Sequence, residues 1–391
     1  MNEIYLDWAA TAPADPEVLD RMSEVGRSIY GNPSSTHRAG KAARKHIEES
    51  RRTAAKLLDT SPDRIVFTSG GSESSAIPLL SLLRKKRRGR ILISSIEHPA
   101  VWETISLFTE LGYEVIEVPP DSSGIVQPEQ VSRALSPDTI AAAVMAVNNE
   151  TGAIQPVADI GRLIREYEKK ERCSILFHCD MVQALGKIPI AVDKWHVDTA
   201  AFSAHKLGGP RGIGILYHRR DLSVLFSGGG QEDGNRPGTE NTAGIAGFCL
   251  SMQKHIPGIR SEYERAGELA DRLIQAVQET DGCRLLPESR AKCQEFFSPY
   301  ILSFSVAPVP GEVFTRVLND RSVLVGSGSA CSSNRQRKHA RVLHSMGVND
   351  EVARGAVRVS IGYTTTMSEI ETFIQIMREE LKTLRTSLGH A

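Results

Sequence analysis

Thr199-Ala200-Ala201-Phe202-Ser203-Ala204-His205-Lys206-Leu207-Gly208-Gly209-Pro210-Arg211-Gly212 is the stretch on which the reading of this chain turns. Its first six residues are mostly small and apolar, the composition of a short buried strand. A hydroxyl, an imidazole and a lysine follow, then a turn rich in Gly and Pro. Two readings of Lys206 are open. It is a solvated cation in a surface loop, or its amine stands at the end of a buried strand. There it can lose its proton and condense with an aldehyde, the way pyridoxal phosphate (PLP) is held.

Outward from this stretch, short apolar runs alternate with amphipathic ones. Candidate strands lie at 64–68, 90–94, 114–118, 140–147, 174–179, 199–204 and 212–217, with helical patterns at 73–83, 100–111, 128–135 and 157–169. This alternation predicts an α/β fold, a mostly parallel seven-stranded sheet covered by helices. Such sheets bind ligands at the carboxyl ends of their strands. Beyond about residue 258 the pattern changes to a long charged helix at 260–280, strands near 300–306 and 357–361, and a last helix at 367–384. The expectation is a large domain over 15–258 and a smaller α+β domain made of 1–14 and 259–391.

A chain of 391 residues, 40% hydrophobic and 24% charged, is long enough for two domains of ordinary globular composition. Lys+Arg and Asp+Glu balance at 47 each, so nothing points to nucleic acid or an anionic membrane. The basic run 84–90 (RKKRRGR) has no interleaved aromatics and reads as a solvated helix end and turn. The first seven residues are acidic and poor in apolar side chains, unlike a secretory signal. No apolar run approaches the roughly 18 residues a membrane span needs. Six widely spaced cysteines without a C-x-x-C pair speak against a zinc site or a disulfide framework, and for a reducing cytoplasm.

Several strand ends carry groups with chemistry. In Phe67-Thr68-Ser69-Gly70-Gly71-Ser72-Glu73 a strand gives way to a helix that Ser72 can cap. The exposed N–H groups and dipole of that helix suit a phosphate, and a plain strand–helix turn is the alternative. His98 follows the next strand and could stack on a cofactor ring and move protons, or be merely structural. In Asn148-Asn149-Glu150 an amide could bond a ring substituent or cap the turn. Asp180 closes the buried run 174–179, where a carboxylate needs a partner. A helix N-cap is one possibility. A protonated pyridine nitrogen is the other, and with Lys206 one strand over it is the leading one. The loop 228–241 (GGGQEDGNRPGTEN) can bring backbone close to a ligand or a second subunit, or be a linker. Cys331 sits among Gly and Ser with Arg335, Arg337 and Lys338 nearby, a setting that favours thiolate. By composition alone a free cysteine is a small buried hydrophobe.

Taken in order, DWAAT (7–11), GNPSSTH (31–37), FTSGGSES (67–74), EHPAV (97–101), NNETG (148–152), HCDMVQ (178–183), SAHKLGGPRG (203–212), the 228–241 loop, SGSACSS (327–333) and VRVSIG (357–362) resemble the cysteine desulfurases of the NifS/IscS type. These are class V, fold-type I PLP enzymes, and the resemblance runs from about residue 4 to about residue 384. It implies that Lys206 bonds the cofactor, Asp180 pairs with its pyridine nitrogen, and Gln183 bonds the ring hydroxyl. Asn149 would face the ring oxygen and His98 stack on the ring. Gly71, Ser72, Ser203 and His205 would hold the phosphate, joined by Thr239 from a neighbouring subunit, which implies a homodimer. Arg358 would clamp the substrate carboxylate.

The resemblance implies a reaction as well. A proton leaves Cα of bound L-cysteine, and the Cys331 thiolate attacks the substrate sulfur. Alanine and a Cys331 persulfide remain, the sulfur passing to an acceptor such as an iron–sulfur scaffold or carrier protein. The Cys331 loop resembles that of the long-loop group. Selenocysteine lyase and cysteine or cystine lyase are the implied alternatives, aminotransferase is disfavoured, and a non-catalytic sulfur-assembly subunit is the alternative of another class. The chain departs from the family at Trp8, a large ring beside a ligand-facing loop that would alter substrate access, at Ser72, Ser75 and Ala76, and at Cys179. It also stops soon after the last helix, where some members carry a docking tail.

Overall fold

The computed structural model describes residues 3–85, 88–327 and 340–387. Twelve strands run in chain order: β1 (Ile4–Leu6), β2 (Ile65–Thr68), β3 (Arg90–Ser94), β4 (Glu114–Val118), β5 (Thr139–Ala143), β6 (Leu176–Asp180), β7 (Thr199–Ser203), β8 (Gly214–His218), β9 (Arg284–Leu285), β10 (Ile301–Ser305), β11 (Val323–Ser327) and β12 (Ala356–Ser360). Seven of them form one sheet in the order β2-β8-β7-β6-β5-β3-β4. Every pairing along β7-β6-β5-β3-β4 is parallel, and β8 alone runs against its neighbours β2 and β7. Burial explains the sequence pattern. β6, β7 and β8 are buried at every position, and apart from His178, Asp180 and His218 they are apolar or small. β4, at the sheet edge, is half exposed and alternates.

The helices expected between these strands are present. Gly71–Ser81, Pro99–Glu110, Pro128–Ala134 and Val157–Glu171 match the predicted segments to within two residues at each end. One strand is shorter than its apolar run. β5 ends at Ala143, and Val144–Val147 leave the ladder while Ala146 N–H still bonds the Asp180 carbonyl at 2.8 Å. Ser72 is not the cap of its helix. The helix starts at Gly71, and Gly70 at the N-cap offers no side chain.

A second sheet has the order β1-β11-β12-β10-β9. β1 pairs with β11 in parallel, and the other pairings are antiparallel. The helices Ile259–Gln278 and Met367–Ser387 cover it, and a core of Leu269, Leu273, Phe304, Phe314, Phe373 and Met377 lies between. Val342, Leu343, Met346 and Ala353 instead pack into the core of the large sheet. Among the described residues no helix is long and apolar enough to cross a membrane.

Candidate active site

The carboxyl ends of β2, β3, β6 and β7 open into one cavity of about 260 Å³. Gly71 and Ser72 enter it after β2, His98 after β3, Asp180 and Gln183 from β6, and Ser203, His205 and Lys206 from β7. Asn149 comes from the turn beyond β5. The other wall is Ala9 and Ala10, just past β1, and Arg358 on β12. The site therefore lies between the two sheets.

Lys206 ends the short turn Ala204–Lys206. Its Nζ donates to the carbonyls of Ala9 and Ala10, each at 2.6 Å. The N-terminal segment thus cradles the amine rather than leaving it in solvent, as a loop cation would be. Asp180 accepts the Val182 N–H at 2.9 Å. Burial raises its pKa, and the positive character of His98 and Lys206 works against that rise. His98 caps the helix Pro99–Glu110, its Nδ1 accepting the Ala100 N–H at 3.1 Å. That bond leaves the proton of the neutral ring on Nε2. Burial lowers the His98 pKa, with Asp180 opposing.

In the Asn148-Asn149 pair the two competing roles are divided. Asn148 Oδ1 accepts the N–H groups of Glu150 and Thr151 at 3.0 and 2.9 Å, so Asn148 holds the turn. Asn149 is left to line the cavity, and its carbonyl accepts Arg358 Nη1 at 3.0 Å. Arg358 is 4% exposed on its side chain and pairs with Asp7 Oδ1 through Nη2 at 2.8 Å. Its Nε is buried without a partner among the described residues. A Cβ on Gly326, in β11, would come within 2.8 Å of both Arg358 Nη2 and Asp7 Oδ1, so the backbone there must be bare.

The helix that enters the cavity after β2 is uncapped. No side chain bonds the first turn of Gly71–Ser81, leaving its N–H groups for an anion. An adjoining depression of about 400 Å³ shares Gly71, Ser72, Ser203 and His205 and adds Thr11 and Arg211. His205 Nδ1 lies 3.1 Å from Thr11 Oγ1, and burial, with Lys206 and Arg211 adding to it, lowers its pKa to about 4. A Cβ on Gly71 would sit 2.6 Å from Val182 Cγ2, so the start of this helix packs closely on the segment after β6. A lysine, a buried carboxylate and an open helix N-terminus flanked by hydroxyls and Arg211 form the donor set that fits PLP.

One expected residue stands elsewhere, and another cannot be placed among the described residues. Thr239 is exposed and is not among the cavity residues. Cys331 lies outside the described residues. The loop 228–241 is not a loose linker. Glu232 receives Arg51 Nη1 and Nη2 at 2.7 and 3.0 Å and the Phe67 N–H at 2.8 Å. Trp8 stands beside the segment that lines the cavity, and its own ring is not among the lining side chains. It is buried against Gly362 and Tyr363, and only its neighbours Ala9 and Ala10 reach the site. Cys179 is fully buried, and burial raises its pKa well above the ordinary thiol value, which makes it inert.

Sequence reasoning missed Ala9, Ala10, Thr11, Met145, Asp7 and Lys187. Asp7, Ala9, Ala10 and Thr11 belong to DWAAT, a segment that by itself reads only as a loop. The spacing of Lys187, four residues past Gln183, was the available signal for it.

A mostly parallel sheet with a lysine and a carboxylate at adjacent strand ends defines a fold-type I PLP enzyme. The family model described as aminotransferase class-V matches residues 4–373. The chain is 37% identical over 389 residues to the cysteine desulfurase IscS of Dictyoglomus turgidum, covering 98% of this chain and 96% of that one. It is 35% identical over 392 residues to the mitochondrial cysteine desulfurase of Arabidopsis thaliana, covering 98% of this chain and 83% of that one. A solved NifS-like protein superposes with a TM-score of 0.88 at 35% identity, over 97% of this chain and 100% of that one. The chain belongs to the aminotransferase class-V family of PLP enzymes, on its cysteine desulfurase branch.

Proposed function

We propose that this chain takes sulfur from L-cysteine, releasing L-alanine and leaving the sulfur as a persulfide on Cys331. The observation that carries the reading is the meeting of Lys206, Asp180, His98 and Arg358 around one cavity. Lys206 would hold PLP by its amine, Asp180 at the pyridine nitrogen, and Gln183 and Asn149 at the ring oxygen. His98 would lie on the ring, and Gly71, Ser72, Ser203 and His205 would take the phosphate. Bound PLP supplies an electron sink for the pair left when a Cα proton departs.

The residues of the chain do the rest. Arg358 Nε, buried and unpaired, is available to the substrate carboxylate and anchors it from the smaller sheet. Lys206 is the lysine within the cavity whose amine can take the Cα proton. His98 can hold or pass a proton at Nε2. The Cys331 sulfur bonds the substrate sulfur while the substrate Cβ–S bond breaks, so cysteine and a thiol become alanine and a persulfide. The division into a unit of 15–258 and a unit of 1–14 with 259–391 would let Arg358 close the site from the smaller unit. The working form is a homodimer in the cytoplasm, with Thr239 reaching the partner's phosphate. The sulfur acceptor is a scaffold or carrier protein.

The test is incubation of the PLP-loaded protein with L-cysteine, assay of alanine, and mapping of persulfide by mass spectrometry. Alanine with persulfide on Cys331 is expected. Pyruvate, ammonia and sulfide without persulfide would mean a lyase and overturn the reading.

A further inference from the structure

Lys187 is a buried cation that none of the roles above uses. It is 3% exposed, in the turn that follows β6. Among the described residues its ammonium makes one side-chain hydrogen bond, to Gln183 Oε1 at 3.0 Å. Gln183 Nε2 in turn donates to the Ala9 carbonyl at 2.9 Å, the same carbonyl that accepts Lys206 Nζ. The chain of contacts is Lys187 to Gln183 to Ala9 to Lys206.

This arrangement leaves the Gln183 amide one orientation. A lysine ammonium can only donate, and a backbone carbonyl can only accept. Turning the amide over would set donor against donor at Lys187 and acceptor against acceptor at Ala9. With Oε1 facing Lys187 and one Nε2 hydrogen on Ala9, the second Nε2 hydrogen is what remains for the cavity that Gln183 lines. Without Lys187, Oε1 would be buried and unpaired, and the amide would move to recover a donor.

We propose that Lys187 is a positioning residue that fixes the Gln183 amide so that the site offers the cofactor's ring oxygen a hydrogen-bond donor and never an acceptor. The inference rests on the PLP reading of the site. A held donor favours the ionised ring oxygen over the neutral hydroxyl. Burial, with Lys206 and Arg358 adding to it, lowers the Lys187 pKa to about 7, which weakens its charge without removing its N–H donors. At that value it still donates in either protonation state.

The experiment follows the visible absorbance band of PLP-loaded protein against pH, comparing the wild type with Lys187→Met, a substitution of similar length that removes the donor. The pH at which the band converts should rise by about one unit, because the ionised oxygen loses a charge-assisted bond held in place. An unchanged midpoint, with or without a lower melting temperature, would make Lys187 purely structural and overturn the inference. Gln183→Glu is the second variant, which keeps a partner for Lys187 while setting an acceptor against the Ala9 carbonyl. It replaces the donor by an acceptor, and its midpoint should rise as well. No rise there overturns the inference even if Lys187→Met does not fold. A wild type that develops no visible band with PLP would instead bring down the PLP reading itself.

Discussion

His178 in β6 shows what one buried side chain does to the pH dependence of the whole chain. Its Nδ1 lies 2.9 Å from Thr199 Oγ1, and its Nε2 has no partner among the described residues. Burial lowers its pKa from 6.5 to about 3. The unfolded chain takes up a proton near 6.5, while the folded chain resists until about 3. Its contribution to stability is therefore complete above the unfolded value and is lost as pH falls through that window. The loss reaches about 5 kcal/mol at the acid end. His205 and His255, both lowered to about 4, act with the same sign. In His178→Asn, acid unfolding should take up about one proton fewer, seen as a shallower slope of unfolding free energy against pH. An unchanged slope would mean that His178 is already charged in the folded state. The site's main residues were legible in the sequence for a positional reason. Asp180, Ser203 and Lys206 each stand where a buried strand ends, and the end of a strand can be read from its apolar run. Asp7 could not be read that way, because its partner Arg358 becomes a neighbour only through packing, and Lys187 lies past the strand end, signalled only by its spacing from Gln183.

At the level of elements, the anchored loop 228–241 carries the clearest expectation. Arg51, from the helix Arg38–Leu57, meets Glu232 in a bidentate pair and lies 5.1 Å over the Phe67 ring. Glu232 adopts a positive φ of 49°, a conformation uncommon for a non-glycine residue, with its side chain tied to Arg51. Arg51→Met should cost about 3–5 kcal/mol, since it leaves a buried carboxylate unpaired. The chemical melting midpoint would record the loss. Amide exchange in 228–241 should rise well before global unfolding, and exchange that rises only with global unfolding would show that the pair does not hold the loop. The same scale explains which elements could be foreseen. The strands 90–94 and 114–118 match their predicted bounds because a local apolar run defines them. β1 has three residues, and β9 has two. Neither carries a run of its own. β1 exists by pairing with β11, more than three hundred residues away, and β9 by pairing with β10.

For the whole molecule, the question is whether one chain completes its own site. Thr239, expected at a phosphate, stands exposed outside the cavity. Just before its loop, Leu225 and Phe226 are 49% and 76% exposed. Large apolar side chains in succession on a surface mark a place where something packs, and an aromatic at such a place tends to dominate the binding energy. A second copy of the chain would cover this surface and could bring its own Thr239 to the first copy's phosphate. Light scattering should then give twice the 42.8 kDa of one chain. Phe226→Asp should weaken the dimer by about 2 kcal/mol, roughly a thirtyfold rise in its dissociation constant. The diluted variant should lose PLP on dialysis faster than the wild type, because each site would lack the partner's hydroxyl. A variant that separates into single chains but keeps PLP as tightly would leave Thr239 without a part in the phosphate site. One that stays dimeric at every dilution would place the interface on another face.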